Sequence, residues 1–172
     1  MSLEPSPSLV YSSSPELFVL DGLILRTECD DLIARARAQG FSRARQRAAG
    51  RENEESFIID RDVTGALLER LSVVSPARRI DDLVEIYRYG IGDSISEHSD
   101  GPCRMVDDGI SAATLLIYLN DGFDGGETVF PKLDLAIRPV CTRALVFAHG
   151  VPHAARHVTA GEKFVARVNI TN

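Results

Sequence analysis

Only three cysteines occur in 172 residues, and Cys29, Cys103 and Cys141 are widely spaced with no C-x-x-C pair among them. An odd, scattered set excludes a disulfide framework and a zinc knuckle, and points to reduced thiols in a cytosolic setting. Long apolar runs are also missing. The longest, 112–119 and 144–148, fall far short of the roughly 18 residues that would cross a bilayer, so no membrane span is expected. The opening stretch MSLEPSPSLVYSSSPEL lacks a basic segment followed by an apolar one, which reads against a secretory signal and for the cytoplasm. Basic charge is not in excess either. The net charge is -6 and aromatics make up 6%, so there is no field or stacking groove for a polyanion, and nucleic acid is a disfavoured partner.

What is present is an ordinary globular composition, 44% hydrophobic and 26% charged, at a length that buries a core without staples. The chain reads as a single domain over 1–172, with a flexible arm at 1–15, a helical support region at 16–82 and a core at 83–172. Thr27 followed by Asp30 resembles a capping box, Leu32, Ile33 and Ala36 form an apolar stripe, and Gly40 supplies a stop, which predicts a helix over 28–39. A second helix is predicted after Asp62, carrying Leu67, Leu68 and Leu71 before Pro76. SFIID at 56–60 reads as a strand between them. Further strands are predicted at 83–89, 112–119, 127–130, 143–148 and 163–171. Short strands at this spacing predict a mainly β fold with flanking helices, its core a double-stranded β-helix, the cupin-like jelly roll. No internal repeat is apparent.

The most informative feature is His98-Ser99-Asp100. On an extended segment, residues two apart share a face, so His98 and Asp100 can present a nitrogen and an oxygen to one point. By itself H-x-D is a weak signal. A third ligand has three candidates, His149, His153 and His157. Their spacing of four invites a helical reading, but Gly150 and Pro152 and the preceding β-rich run argue against a helix there. Two histidines and a carboxylate on one face of an octahedron leave three positions open, the arrangement of oxygen-activating non-haem iron(II). Ala or Gly at position 100 would have suggested halogenation; Asp100 points to hydroxylation.

Three stretches, YRYGIGDSISEHSD at 87–100, TLLIYLNDGFDGGETVFP at 114–131 and RALVFAHGVPHAARHVTAGEKFVARVNI at 143–170, resemble the prolyl 4-hydroxylase-like family of iron(II)/2-oxoglutarate-dependent dioxygenases. The resemblance covers about residues 84–171. It implies iron(II), 2-oxoglutarate as co-substrate and O2, with ascorbate as an in vitro aid. It also implies His98, Asp100 and His153 as catalytic metal ligands, because His153 stands six residues after Phe147 and ten before Lys163, as in the family. His149 and His157 then become neighbouring or solvated side chains. Lys163, Tyr89 and Thr128 become the 2-oxoglutarate contacts, with a buried ammonium offsetting the distal carboxylate. Tyr118, on the same face as Thr114 and Leu116, reads equally as pocket or core, and Arg167 shares a face with Lys163, in reach of a substrate or a carboxylate. Thr142 departs from the glycine common in relatives, and the loop at 101–111 is particular to this chain.

The resemblance implies hydroxylation of an unactivated C–H bond, first of all in a prolyl residue of a protein or peptide. Hydroxylation of a free amino acid or other small molecule is the alternative. Rival classes are a catalytically silent 2-oxoglutarate or metal sensor, a cupin-like isomerase or hydrolase, and a nucleic-acid demethylase, the last opposed by the acidic balance. The basic stretch at 43–51 (RARQRAAGR) could act as a lid reading an acidic peptide; a solvated charged loop is the simpler reading. The pattern is silent on oligomeric state.

Overall fold

The computed structural model describes residues 5–13, 16–43, 50–75, 77 and 79–171. In chain order its elements are β1 (Ser8–Ser13), β2 (Leu17–Asp21), α1 (Arg26–Gln39), β3 (Ser42–Arg43), β4 (Glu54–Ile59), α2 (Arg61–Ser72), β5 (Arg79–Tyr89), β6 (Ile95–His98), β7 (Ala113–Tyr118), β8 (Asp124–Gly125), β9 (Thr128–Phe130), β10 (Leu135–Ile137), β11 (Ala144–Ala148), β12 (His153–Ala155), β13 (Val158–Ala160) and β14 (Lys163–Thr171). Eight strands form a major sheet in the order β1-β2-β11-β7-β14-β5-β4-β3. A minor sheet, β10-β9-β12-β6, faces it, and β13 pairs with β8. This is the jelly roll the short strands predicted.

Strand periodicity divides the core in two. Along β14, Phe164, Ala166, Val168 and Ile170 turn to one face of the major sheet, where Val84 and Ile86 of β5 and Leu115 and Ile117 of β7 join them. Cys29, Leu32 and Ala36 of α1 and Leu67 and Leu71 of α2 pack on that face. Each fully buried Leu, Ile or Phe contributes about 1.5–3 kcal/mol, which is what holds the helices on the sheet. The alternate residues look the other way, toward the minor sheet. Val165, Tyr87, Tyr89, Tyr118, Leu145 and Phe147 meet Ile95, Phe130 and Ile137 there. The polar residues Glu85, Thr114, Lys163 and Arg167 share their parity, so the two-residue period delivers chemistry to the space between the sheets.

Both helices begin earlier than predicted, for the same reason. Asp60 accepts from the backbone N–H groups of Asp62 and Val63, so the cap lies at the end of the SFIID strand and α2 starts at Arg61. For α1, Glu28 accepts from the N–H of Leu25 at 2.8 Å and receives both terminal nitrogens of Arg70 at 2.9 Å, so Thr27 lies inside the first turn. Gly40 ends α1 as expected, donating to Ala36. Two expectations are corrected. Ser8–Ser13, read as part of a frayed arm, is a paired edge strand, because β2 offers it a backbone ladder that composition does not report. The 16–82 stretch is also more than helical support, since it gives β2, β3, β4 and the first residues of β5 to the major sheet.

Thr142 carries a φ of 73°, a left-handed conformation that a β-branched residue adopts only under strain. It is held there by its N–H bonding Tyr118 and by the neighbouring Arg143 N–H bonding Val140. Replacing Thr142 with Gly is expected to stabilise the fold by about 1 kcal/mol, seen as a higher urea midpoint at unchanged slope. An unchanged or lower midpoint would show that the Thr142 side chain contributes more than its backbone costs.

Candidate metal centre and active site

The site is built by sheet register. β12 pairs with β6 so that His153 stands directly opposite His98, and the imidazole centroids are 4.3 Å apart. Asp100 follows two residues after His98, with its Oδ1 3.8 Å from the His98 Nε2. One ligand atom from each of His98, Asp100 and His153 lies within 4.8 Å of the other two, a grouping that could hold a metal ion. His149 and His157 stand outside it: His157 Nδ1 contacts the Gly92 carbonyl at 2.7 Å, and His149 is half-buried beyond β11.

Hydrogen bonds aim the three groups. His98 Nδ1 lies 2.9 Å from the Ser96 carbonyl and His153 Nδ1 lies 3.0 Å from the Val151 carbonyl. A carbonyl only accepts, so each Nδ1 carries the proton and each Nε2 is a free lone pair. Burial pushes the His153 imidazole below its ordinary value, favouring the neutral form a metal needs. Burial opposes ionisation of Asp100. The Arg167 guanidinium and the Thr114 hydroxyl outweigh it, bringing the carboxyl down to about 2. Both act on Oδ2, Thr114 at 2.5 Å and Arg167 at 3.3 Å, which leaves Oδ1 toward the histidines. Arg167 in turn donates to Glu85 at 2.8 Å, and Glu85 accepts from the Tyr87 hydroxyl at 2.5 Å.

A cavity of about 240 Å³ opens beside this group, between the sheets. His98, Asp100 and His153 line it together with Tyr89, Thr128 and Lys163, so all six predicted site residues border one space. Lys163 is 1% exposed. Its Nζ donates to the Gly126 carbonyl at 2.6 Å and lies 4.7 Å from the Tyr89 ring centroid and 5.6 Å from that of Tyr118. Gly126, at φ 68°, is needed here, since a Cβ would stand 3.0 Å from Lys163 Cδ. Tyr118 is buried and donates to Thr128 at 2.7 Å, so it orients a cavity residue from below. An ammonium with one carbonyl acceptor among the described contacts suits an incoming anion.

Sequence reasoning named Thr114 only as a face-mate of Tyr118 and Arg51 only as the end of a possible lid, and missed Glu85; all three line the cavity. The available signal was strand parity: Glu85 shares a face with Tyr87 and Tyr89. In the 101–111 loop, Gly101 and Cys103 reach the cavity, while Asp81 accepts from the Val106 N–H at 2.9 Å and Arg79 pairs with Asp107. The proposed lid at 43–51 lies largely outside the described residues; of its ends, Arg43 is exposed in β3 and Arg51 borders the cavity. Among the described residues no helix is long and apolar enough to cross a membrane.

Residues 84–171 match the family model described as the 2OG-Fe(II) oxygenase superfamily. The chain is 30% identical over 156 residues to probable prolyl 4-hydroxylase 4 of Arabidopsis thaliana, covering 80% of this chain and 51% of that protein. It is 31% identical over 147 residues to prolyl 4-hydroxylase 2 of the same plant, covering 75% of this chain and 48% of the relative. It thus spans about half the length of these relatives. The viral collagen prolyl hydroxylase of Paramecium Bursaria Chlorella virus-1, solved as a 2OG complex, shares the fold with a TM-score of 0.74 at 23% identity, covering 91% of this chain and 96% of that one. A Trichoplax adhaerens prolyl hydroxylase, solved with a hypoxia inducible factor oxygen degradation domain peptide fragment, superposes with a TM-score of 0.67 at 17% identity, covering 92% and 84%. Matched from Val84 in β5 to the end of β14, across His98, Asp100 and His153 and all of the described cavity lining except Arg51, the chain belongs to the 2OG-Fe(II) oxygenase superfamily.

Proposed function

We propose that this protein is an iron(II)- and 2-oxoglutarate-dependent hydroxylase acting on a prolyl residue of a peptide or protein. The observation that carries the reading is a pair of facing histidines and a carboxylate at one side of a cavity that also holds a buried lysine. In this reading the whole chain is one catalytic domain. His98 and His153 hold the iron through Nε2 and Asp100 through Oδ1, while Tyr89, Thr128 and Lys163 seat 2-oxoglutarate. The donor set suits the ion: two neutral imidazoles and one carboxylate come from a single side, leaving the cavity side open to exchangeable ligands. Prolyl substrates are favoured by the names of the plant relatives and by the peptide bound to the Trichoplax protein. A cytoplasmic setting fits the three free cysteines.

When bound, iron(II), 2-oxoglutarate and O2 supply the oxidising chemistry, in which decarboxylation to succinate accompanies hydroxylation of a C–H bond. The chain's own side chains bind and orient. Thr114 and Arg167 keep Asp100 ionised and turned toward the histidines. Phe147 and Phe130, with centroids 4.6 and 6.0 Å from that of His153, keep its ring in place and its surroundings dry. Lys163 receives the distal carboxylate of the co-substrate, with Thr128, held by Tyr118, beside it.

Purified protein given iron(II), ascorbate, 2-oxoglutarate and prolyl peptides is expected to form succinate and a peptide heavier by one oxygen, both falling to background in His153→Ala. Turnover that survives the substitution overturns the ligand set. Thr114→Val removes the hydroxyl from Asp100 and is expected to weaken manganese(II) binding about tenfold in a chelator competition; unchanged affinity would remove Thr114 from the site.

Lys163 provides a pH test. Burial lowers its ammonium from 10.5 to about 7. Between these values the unfolded chain binds a proton that the folded chain does not, so stability rises with pH across the window. The full penalty, on the order of a few kcal/mol, applies below the lower value and vanishes above the upper one. Lys163→Met should flatten this rise in urea denaturation of the ligand-free protein, raise its stability at neutral pH, and weaken 2-oxoglutarate binding. Unchanged co-substrate affinity would take Lys163 out of the pocket.

A further inference from the structure

Among the described residues, three cations and two carboxylates border the cavity: Arg51, Lys163, Arg167, Glu85 and Asp100. Arg167 is committed to both carboxylates, at 2.8 Å to Glu85 and 3.3 Å to Asp100. Lys163 is assigned to the co-substrate. Arg51 remains, and its position is constructed. The segment before it lies against β6, the strand that ends in His98: Arg51 forms a bridge with Ile95, and the Ser96 N–H donates to the Gly50 carbonyl at 3.0 Å. Only glycine permits this approach, because a Cβ on Gly50 would stand 2.2 Å from the Ser96 hydroxyl.

The side chain is equally constrained. Arg51 Nε donates to Asn53 at 2.9 Å, and the guanidinium lies 4.5 Å from the centroid of the Tyr87 ring, which is itself tied to Glu85. The side chain is 15% exposed, with Glu55 3.6 Å from Nη2, an ion-pair distance but no hydrogen bond. That Nη2 is buried and, among the described residues, has no hydrogen-bond partner, while the guanidinium as a whole also interacts with the Tyr87 hydroxyl. A guanidinium nitrogen short of an acceptor costs free energy, and because Arg51 borders the cavity, a small turn of the side chain would let an anion bound there offset that cost. It is not the seat of Lys163. Lys163 lies against Tyr89 and Arg51 over Tyr87, rings that start two residues apart on β5, with Cα atoms about 7 Å from each other.

We infer that Arg51 is a substrate-recognition residue that binds a carboxylate on the molecule to be hydroxylated. The inference rests on the hydroxylase reading and narrows it to substrates with a carboxylate near the reacting carbon. That carboxylate comes either from an acidic side chain next to a prolyl residue or from a free carboxyl end. Planar, two-pronged pairing with a guanidinium stacked on a phenol ring suits either source.

Binding rather than turnover tests it. With diamagnetic zinc(II) and 2-oxoglutarate present, two pairs of probes are titrated while the Arg51 Nε–H resonance is followed by NMR: acetyl-Pro-Glu-amide against acetyl-Pro-Gln-amide, and acetylproline against acetylprolinamide. In at least one pair the acid should bind at least about tenfold more tightly than its neutral partner and shift that resonance. The responding pair identifies the source. Arg51→Gln should abolish the preference and Arg51→Lys restore part of it. No acid preference in either pair, no binding of either acid, or a preference that persists in Arg51→Gln overturns the inference. So does a loss of 2-oxoglutarate affinity in Arg51→Gln as large as the loss for the acid probe, which would assign Arg51 to the co-substrate. Wild-type protein that fails to bind 2-oxoglutarate would instead sink the hydroxylase reading, while the acid preference would still be read.

Discussion

The pairing of two short strands controls everything downstream. His153 reaches His98 because β12 and β6 are hydrogen-bonded in a register that makes them cross-strand neighbours. A slip of one residue would turn one imidazole to the opposite face and leave Asp100 beside a single histidine. The register is irregular just beyond, where Ala155 lies opposite Ile95, so β6 carries an extra residue in the interval. Such a bulge re-aims the side chains around it. Here it contains Ser96, whose carbonyl receives the His98 ring and whose N–H holds the Gly50–Arg51 segment. One local distortion therefore serves both the His98, Asp100 and His153 group and the cation at Arg51, which borders the same cavity.

Charge is the second constraint. The space between the sheets contains more ionised groups than a core chosen for stability alone would hold, because desolvating each costs several kcal/mol. The chain manages this by chaining them: Tyr87 to Glu85, Glu85 to Arg167, Arg167 to Asp100, and Thr114 to the same Asp100 oxygen. Every link stands on alternate residues of β5, β7 and β14, or on the turn after β6, so adjacent strands hold the network at fixed spacing. Lys163 and Arg51 lie outside this chain, one with a single carbonyl acceptor and the other with an unbonded nitrogen. Their incomplete hydrogen bonding supports the proposed ligand positions, whereas the satisfied groups keep the site in shape.

Much of this was legible in order along the chain. Short β-rich runs separated by Gly, Asp and Pro marked β5, β7, β11 and β14, the apolar stripe and stop marked α1, and the family resemblance singled out His153 from three histidines. The misses have a common physical origin. β6, β12 and the two-residue strands are too short for a period to register, and β1 is a Ser-rich segment; they are strands because a neighbouring backbone pairs with them. The cap of α2 was misread because Asp60 serves as both the end of a strand pattern and the acceptor for a helix start. Likewise nothing local sets Glu85 apart from an ordinary strand carboxylate; Arg167 and Tyr87 beside it do.

What the sequence determined by itself was chemical identity and parity: which nitrogen, oxygen and ammonium groups exist, and which of them face the same side of a strand. These are local properties, set by residue type and a two-residue period. Only the tertiary structure decided distance and partnership, among them that Asp100 turns one oxygen to the histidines while Thr114 and Arg167 take the other, and that Arg51 rests over Tyr87. The residues involved are separated by up to dozens of positions, and no local rule states which strands will lie side by side. Closure of the two sheets settles that, and with it where unpaired charge is left to meet a ligand.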